Sequence, residues 1–423
     1  MAKNNHKIVV AGGNMGGVQI SHYLLRKTIP SLHTLDPNTD YHLTLISPNT
    51  HFFFKIASPR ALINATLIPT DKIFKPLAAA FQQYGARFNH VQGKAVDMDV
   101  DTQEVLTSSS TGSYIRIKYD SLVIATGAST TSPLWSMNTT HEHTIAALRT
   151  LHSELPQAKT IVIAGGGPVG IETAGEVASA YPDAKVTLIG GKGGLLLPRE
   201  KARLGMKAED MLESLGVDVK LGLKLADANA SSTTRPIPLS NGTSLSPSVF
   251  INATGPRTYN TSWLPPQWLN DDGQVLVSDA YFRVRSTSPS TNNVYVIGDA
   301  AAGYRRTAIE LDAMVPTASS SIAIDIIAQR GLKVMKARSS SLSSSSSFTK
   351  DLVKSVIPSK KINVGEQIEF KPVKDTIVVS IGPKGGVGMM NGWALPNLMV
   401  KKGKAERFLL ELVEPLVDGS KFD

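Results

Sequence analysis

The chain has 423 residues, 42% of them hydrophobic, and its 44 basic against 35 acidic side chains leave a formal net charge of +9. That length suits two or three domains, each large enough to bury its own core. There is no cysteine, which excludes disulfides, thiolate metal sites and thiol nucleophiles, and no metal site is expected. The positive excess suits phosphate-bearing cofactors, an anionic surface or nucleic acid, but the basic residues are spread along the chain and do not choose among these.

Lys7–Ala11 reads as a strand that starts too near the N-terminus to leave room for a signal or transit peptide. Ala2 stands where N-myristoylation needs glycine. No apolar run approaches the ~20 residues that span a bilayer. The expected setting is cytoplasmic, with a peripheral membrane contact left open.

In chain order, Lys7–Ala11 is followed by Gly12-Gly13-Asn14-Met15-Gly16-Gly17, a helical stretch from Val18 to Lys27 and a second strand, Tyr41–Ser47. Thr160–Ala164 opens the same series again, with Gly165-Gly166-Gly167-Pro168-Val169-Gly170, a helix from Val169 to Ala180 and a strand at Lys185–Ile189. Each series is a right-handed βαβ unit, and two of them mean two dinucleotide-binding folds. Tyr119–Ile124 is a buried strand that ends at Ala125-Thr126-Gly127; Val249–Asn252, ending at Ala253-Thr254-Gly255, nearly copies it. Residues 291–300 form a final strand that ends on an acid, Asp299, and residues 308–330 carry a helical apolar pattern.

Residues 339–347 are almost all serine and predict a flexible linker. Beyond them Ile377–Ile381 is a strand. Pro396–Val417 can be drawn as one helix, whose stripe of Phe408, Leu409, Leu412, Val413 and Leu416 would pack on the protein's own core, with a membrane-surface or dimer face as the alternative. The basic cluster Lys401, Lys402, Lys404 and Arg407 reads as a solvated face. The expected class is α/β: two Rossmann-like dinucleotide-binding domains, for FAD and NAD(P)H, plus a small α+β C-terminal domain. The expected boundaries are 1–135 with 285–332, 136–284, a linker at 333–362, and 363–423.

The chemistry sits at the glycine turns. A strand before, a helix after and N–H groups at the helix start aim a turn at a pyrophosphate. The second turn meets every condition: Gly165 permits the turn, Gly167 lets phosphates approach and Gly170 lets the helix pack. The first departs from the pattern at Asn14, a residue type that tolerates a left-handed backbone and whose side chain would sit close to the phosphates. The ribose-binding acid is missing after both second strands. Ser47 stands there in the first unit, and Gly190, Gly191 and Lys192 in the second, which leaves NADPH at least as open as NADH. Asp299 either binds the ribityl and phosphate end of FAD or caps the next helix.

Taken together, Gly12–Gly17, Ala125–Gly127, Gly165–Glu176, Ala253–Gly255 and Gly298-Asp299 resemble the pyridine nucleotide-disulfide reductase fold. Ile56–Ala61, Gly170–Glu176 and the stretch from Ile381 to Trp393 are similar to its apoptosis-inducing-factor-like group, the ferroptosis suppressor proteins and fungal relatives included. The resemblance implies FAD contacts from Gly12, Gly13, Asn14, Gly16, Gly17, Ser47, Lys55, Arg60, Ala95, Thr126, Gly127, Gly298, Asp299, Val315 and Pro316. It implies NAD(P)H contacts from Gly165, Gly167, Pro168, Val169, Gly170, Glu172, Lys192 and Gly255. Glu172, Lys55 and Trp393 would be the catalytic set: Glu172 where nicotinamide and flavin meet, Lys55 beside the flavin, and Trp393 lining the acceptor side.

The implied activity passes electrons from NAD(P)H through FAD to a quinone-type acceptor, with no cysteine relay. A tailoring enzyme for an aromatic specialised metabolite is the second reading. Nucleic-acid binding is the third and is disfavoured. Monomer and homodimer stay open.

Overall fold

The computed structural model describes residues 3–109, 111–137, 139–196, 202–231, 236–285, 293–332 and 364–423. The serine run at 339–347, the whole expected linker and residue 363 lie outside the described residues.

The chain begins with β1 (Asn4–Ala11), α1 (Met15–Tyr23) and β2 (Thr39–Ser47), followed by β3 (Phe88–Gln92) and β4 (Ser121–Ile124). After α2 (His141–Glu154) come β5 (Thr160–Ala164), α3 (Pro168–Ala180), β6 (Lys185–Ile189), α4 (Ala202–Ser214), β7 (Asp218–Lys220) and β8 (Val249–Asn252). Then follow β9 (Val294–Val296), α5 (Ala308–Gln329), β10 (Ile377–Ser380), β11 (Gly386–Met390) and β12 (Trp393–Ala394).

One parallel sheet has the order β9-β4-β1-β2-β3 and a second β7-β6-β5-β8. Strands covered on both faces read as continuous apolar runs: Ile8, Val9 and Val10 are at most 1% exposed, and Ile161 and Ile163 are fully buried. β5 and β6 have the bounds the sequence pattern predicts. β1 starts three residues earlier than expected, at Asn4, because β2 begins at Thr39 and pairs with it there.

The stretch between β3 and β4 holds an antiparallel sheet of Lys94–Asp99, Glu104–Ser108 and Tyr114–Lys118. Ala128–Thr130, after β4, pairs antiparallel with Pro256–Tyr259, after β8, and so ties the two sheets together.

Two expectations need correction. α5 has 22 residues and is long and apolar enough to cross a membrane by length and composition, although 72% of its most apolar window is buried inside the protein. Its serines and threonines lower hydropathy little, and it packs against α1 as a core helix. The single helix drawn over 396–417 is instead broken. Asn397–Val400 runs into a π turn at Lys401–Ala405, Phe408 and Leu409 take positive φ of 50° and 58°, and Leu410–Leu412 and Val413–Val417 follow as short turns. Left-handed backbone at two bulky residues ends a helix. Tertiary contacts compensate, since Phe408 is fully buried beneath Arg60, whose guanidinium lies 4.6 Å from the ring centroid.

The C-terminal residues are fastened to α1 by a histidine. His22 is fully buried and its ring stacks on Phe81 at 4.2 Å. Nε2 donates to the Val417 carbonyl at 2.7 Å, leaving Nδ1 to accept from the Tyr84 hydroxyl at 2.7 Å. Burial, with the charge of Arg26 assisting, lowers its pKa from 6.5 to about 4. His6, buried against Ser121, is likewise lowered from 6.5 to about 4, chiefly by burial. A lowered histidine binds fewer protons folded than unfolded. Its contribution is therefore complete above pH 6.5 and is lost as pH falls toward the folded value. The melting temperature should drop as pH falls from 6.5 to about 5, by the equivalent of roughly 2 kcal/mol per histidine. Circular dichroism melts of His22→Gln should start lower and show about half that slope; an unchanged slope would remove His22 from the acid sensitivity.

Candidate functional site

The two glycine turns repeat one set of backbone contacts. Gly12 has φ of 118° and Gly165 of 135°. Gly12 N–H donates to the Ile46 carbonyl at 2.8 Å, and Gly165 N–H to the Ile189 carbonyl at 2.8 Å. A Cβ on Gly12 would lie 2.2 Å from the Ala125 carbonyl oxygen, and one on Gly165 2.2 Å from that of Ala253. The last glycine of each turn is as constrained: a Cβ would come within 1.6 Å of the Gly12 oxygen at Gly17, and 1.8 Å of the Gly165 oxygen at Gly170. Gly17 and Gly170 therefore let helix meet strand and lie behind the cleft wall.

The middle positions differ. At Gly167 an added Cβ would meet nothing within 4 Å. Asn14 has φ of −116°, so the left-handed backbone that its residue type could supply is not used; the chain reverses at Gly12 instead. Its side-chain oxygen accepts from the Phe53 N–H at 3.0 Å, which ties the turn to the neighbouring strand His51–Phe53.

Each helix start leaves N–H groups without an intrahelical acceptor. At α2 and α5 the hydroxyls of Thr140 and Thr307 accept from His143 N–H and Glu310 N–H. At α1 and α3 no side chain caps the start, and neither first turn carries an acid. Both starts open into one continuous cleft of about 3520 Å³, lined by Gly12 to Gly16 and by Gly165 to Val169. Uncapped N–H groups and the helix dipole there suit pyrophosphate oxygens.

On the first side, Lys55 and Asp299 both line the cleft, with Nζ 3.5 Å from Oδ2. Gly298, with φ of 73°, turns Asp299 into it. Ala95, Thr126, Gly127 and Pro316 also line it, and Gly255 does so near the second turn. Ser47 reaches the wall, but its hydroxyl is engaged with the backbone of Asn49, donating at 3.0 Å and accepting at 3.2 Å.

Besides Gly17 and Gly170, four sequence-based candidates lie outside the cleft lining. Val315 is fully buried on the core side of α5. Lys192 is exposed beside the end of β6, outside the cleft lining. Trp393 is 80% exposed on the two-residue β12 and does not line the cleft. Arg60 is turned away into a bidentate pair with Glu176, at 2.7 and 2.8 Å, and donates to the Glu406 carbonyl at 2.9 Å.

Glu172 lies on α3, is 3% exposed, and forms part of the cleft wall. Its Oε1 accepts from Lys404 and, at 3.2 Å, from the Ser380 N–H. Burial pushes the carboxyl above its ordinary pKa, while Lys404 and Ser380 pull it back. Glu176, one helical turn on, is raised by burial and countered by Arg60. Nothing in the local pattern singles out Lys404, which the basic cluster places on a solvated face; its side chain is 12% exposed. Two acids four apart on an otherwise apolar helix were the available signal, because buried carboxylates require cations.

The model of the pyridine nucleotide-disulphide oxidoreductases matches residues 6–320. The chain belongs to this family. Its members are oxidoreductases that use FAD with NADH or NADPH. The oxidoreductase phnG of Penicillium herquei is 30% identical over 99% of this chain and 97% of its own. Ferroptosis suppressor protein 1 of Xenopus tropicalis is 26% identical, covering 70% of this chain and 74% of its own. The fold is shared with NDH2 from Plasmodium falciparum, solved with NADH, at a TM-score of 0.65 and 15% identity over 99% of this chain and 97% of that one.

As a pyridine nucleotide-disulphide oxidoreductase, the chain should separate its two nucleotides by turn. Gly17→Ala should purify without flavin absorbance. Gly170→Ala should stay yellow but lose about tenfold or more of its rate of flavin reduction by NADH and NADPH on anaerobic mixing. A Gly170→Ala protein reduced at the normal rate would exclude the second turn from nucleotide binding.

Proposed function

We propose that the protein is an NAD(P)H-dependent FAD reductase of a small quinone-type acceptor. One observation carries this reading: a single cleft joins both uncapped helix starts to the buried Glu172–Lys404 pair and to an apolar wall that includes Ile377, Val378, Leu395 and Met399. Residues 1–135 with 285–332 serve FAD, 136–284 the nicotinamide dinucleotide, and 363–423 closes the acceptor side. FAD, when bound, supplies the redox chemistry, and a chain without cysteine must hand electrons directly to a diffusible acceptor.

The residues present fit both groups. The N–H groups at the start of α1 would hold the FAD pyrophosphate, and Asp299, Thr126 and Gly127, which line the same cleft, would hold the rest of the molecule. Lys55, paired with Asp299 at 3.5 Å, would place its ammonium beside it. The N–H groups at the start of α3 would hold the second pyrophosphate. Lys404, held by Glu172 and, at 3.2 Å, by the Val378 carbonyl, keeps a proton donor on the cleft wall. Reducing a quinone by two electrons consumes two protons, and the Lys404–Glu172 pair is placed to deliver one.

Anaerobic mixing tests the reading. NADH or NADPH should bleach the bound flavin, and a quinone such as menadione should restore its colour. Lys404→Met combined with Glu172→Gln, which removes both charges together, should leave bleaching within a few-fold and slow recolouring about 100-fold. A colourless protein that FAD cannot reconstitute would sink the assignment. Recolouring by a substituted aromatic compound and by no quinone would make the protein a tailoring enzyme instead.

A further inference from the structure

We propose that the dinucleotide is NADPH, and that Lys224 completes with Lys192 a site for its 2′-phosphate; this rests on the nicotinamide site proposed above. In these folds the adenosine ribose lies over the end of the second strand, where an acid binds its hydroxyls. Here that strand, β6, runs into Gly190-Gly191-Lys192. The glycine turn touches this place, since a Cβ on Gly166 would lie 3.2 Å from the Cα of Gly190.

The segment after β7 folds over the same glycines. Gly190 N–H donates to the Lys220 carbonyl at 2.9 Å, Leu223 N–H to the Gly190 carbonyl at 3.1 Å, and Gly222 N–H to the Gly191 carbonyl at 3.3 Å. A side chain at 190 would meet Leu221 at 2.9 Å, so an acid there would have to displace it. At 191 a Cβ would lie 3.6 Å from Cε of Lys224. The amine stem of Lys224 thus runs beside the glycine where the ribose-binding acid is missing.

The backbone of Lys224 is fixed on both sides by Ser240. Its N–H donates to the Ser240 hydroxyl at 3.1 Å, and its carbonyl accepts from Ser240 N–H at 2.9 Å. Lys192 and Lys224 are both exposed, and among the described residues neither has an ion-pair partner. Residues 190–194 and 220–224 contain no carboxylate; the nearby Asp218 is paired with Lys220 at 3.0 Å. Two lysines without an ion-pair partner among the described residues, one following Gly191 in sequence and one with its stem beside that glycine, match a phosphate dianion, whereas a bare ribose hydroxyl finds no carboxylate in these two segments.

Titration calorimetry of the purified holoprotein with 2′,5′-ADP and with 5′-AMP reads this site without turnover. The 2′-phosphate should tighten binding about 30-fold at low salt, an advantage that shrinks as sodium chloride rises. Lys224→Ala should remove about tenfold of that advantage and Lys224→Glu nearly all of it, with 5′-AMP affinity unchanged in both. Equal affinity of the native protein for the two nucleotides would overturn the phosphate site and leave the nicotinamide site standing. So would a Lys224→Ala variant that weakens both alike. Failure of the native protein to bind either nucleotide would remove the nicotinamide site itself and this proposal with it.

Discussion

Two carboxylates one helical turn apart on α3 are withdrawn from water, and the arrangement of the rest follows from supplying each with a cation. Glu172 takes Lys404 from the C-terminal segment, and Glu176 takes Arg60 from the segment after β2. Removing one partner of such a buried pair typically costs about 3–5 kcal/mol, because the remaining charge is left without compensation. Arg60 also holds the Glu406 carbonyl and covers Phe408. One helix of the second sheet is therefore clamped to both of the segments that close the cleft. The Glu172 pair is polarised at the cleft wall, and the Glu176 pair behind it is sealed in the packing.

The cleft is open for the opposite reason: its ends are places where polar groups go unmatched within the chain. Thr140 and Thr307 cap α2 and α5, whereas α1 and α3 start without a side-chain cap and without an acid in the first turn. Strand ends pressed against Gly12 and Gly165 hold these starts in place, at distances no side chain would permit. The two turns are alike in this framework and unlike at their centres. Gly167 is bare toward the cleft, while Asn14 spends its side-chain oxygen on Phe53. The first turn gains a strut to the adjoining strand and gives up the open approach that the second retains.

Legibility followed the range of the forces involved. β5 and β6 could be bounded to the residue because an apolar β-branched run meeting a glycine turn is a local signal. The helix over 396–417 could not, because its apolar spacing is helical while burial of Phe408 against Arg60, a contact distant in sequence, selects a left-handed backbone there. Ser47 and Arg60 show the same limit. A hydroxyl and a guanidinium at ligand-binding positions in the pattern are both claimed by protein partners. Trp393, carried by a two-residue strand, faces outward although a large aromatic ordinarily reads as core or binding site.

The sequence by itself determined the class of protein. Two strand–glycine–helix units, their two small-residue strand ends and the absence of cysteine are local or compositional facts, and they prescribe two nucleotide folds without a thiol relay. Only the tertiary structure decided which charges face each other across those folds. Lys404 on Glu172, Arg60 on Glu176 and Lys224 beside Gly191 join residues that lie far apart in the sequence. Ion pairing and phosphate recognition depend on distance in space and on exclusion of water, neither of which is encoded at any one position.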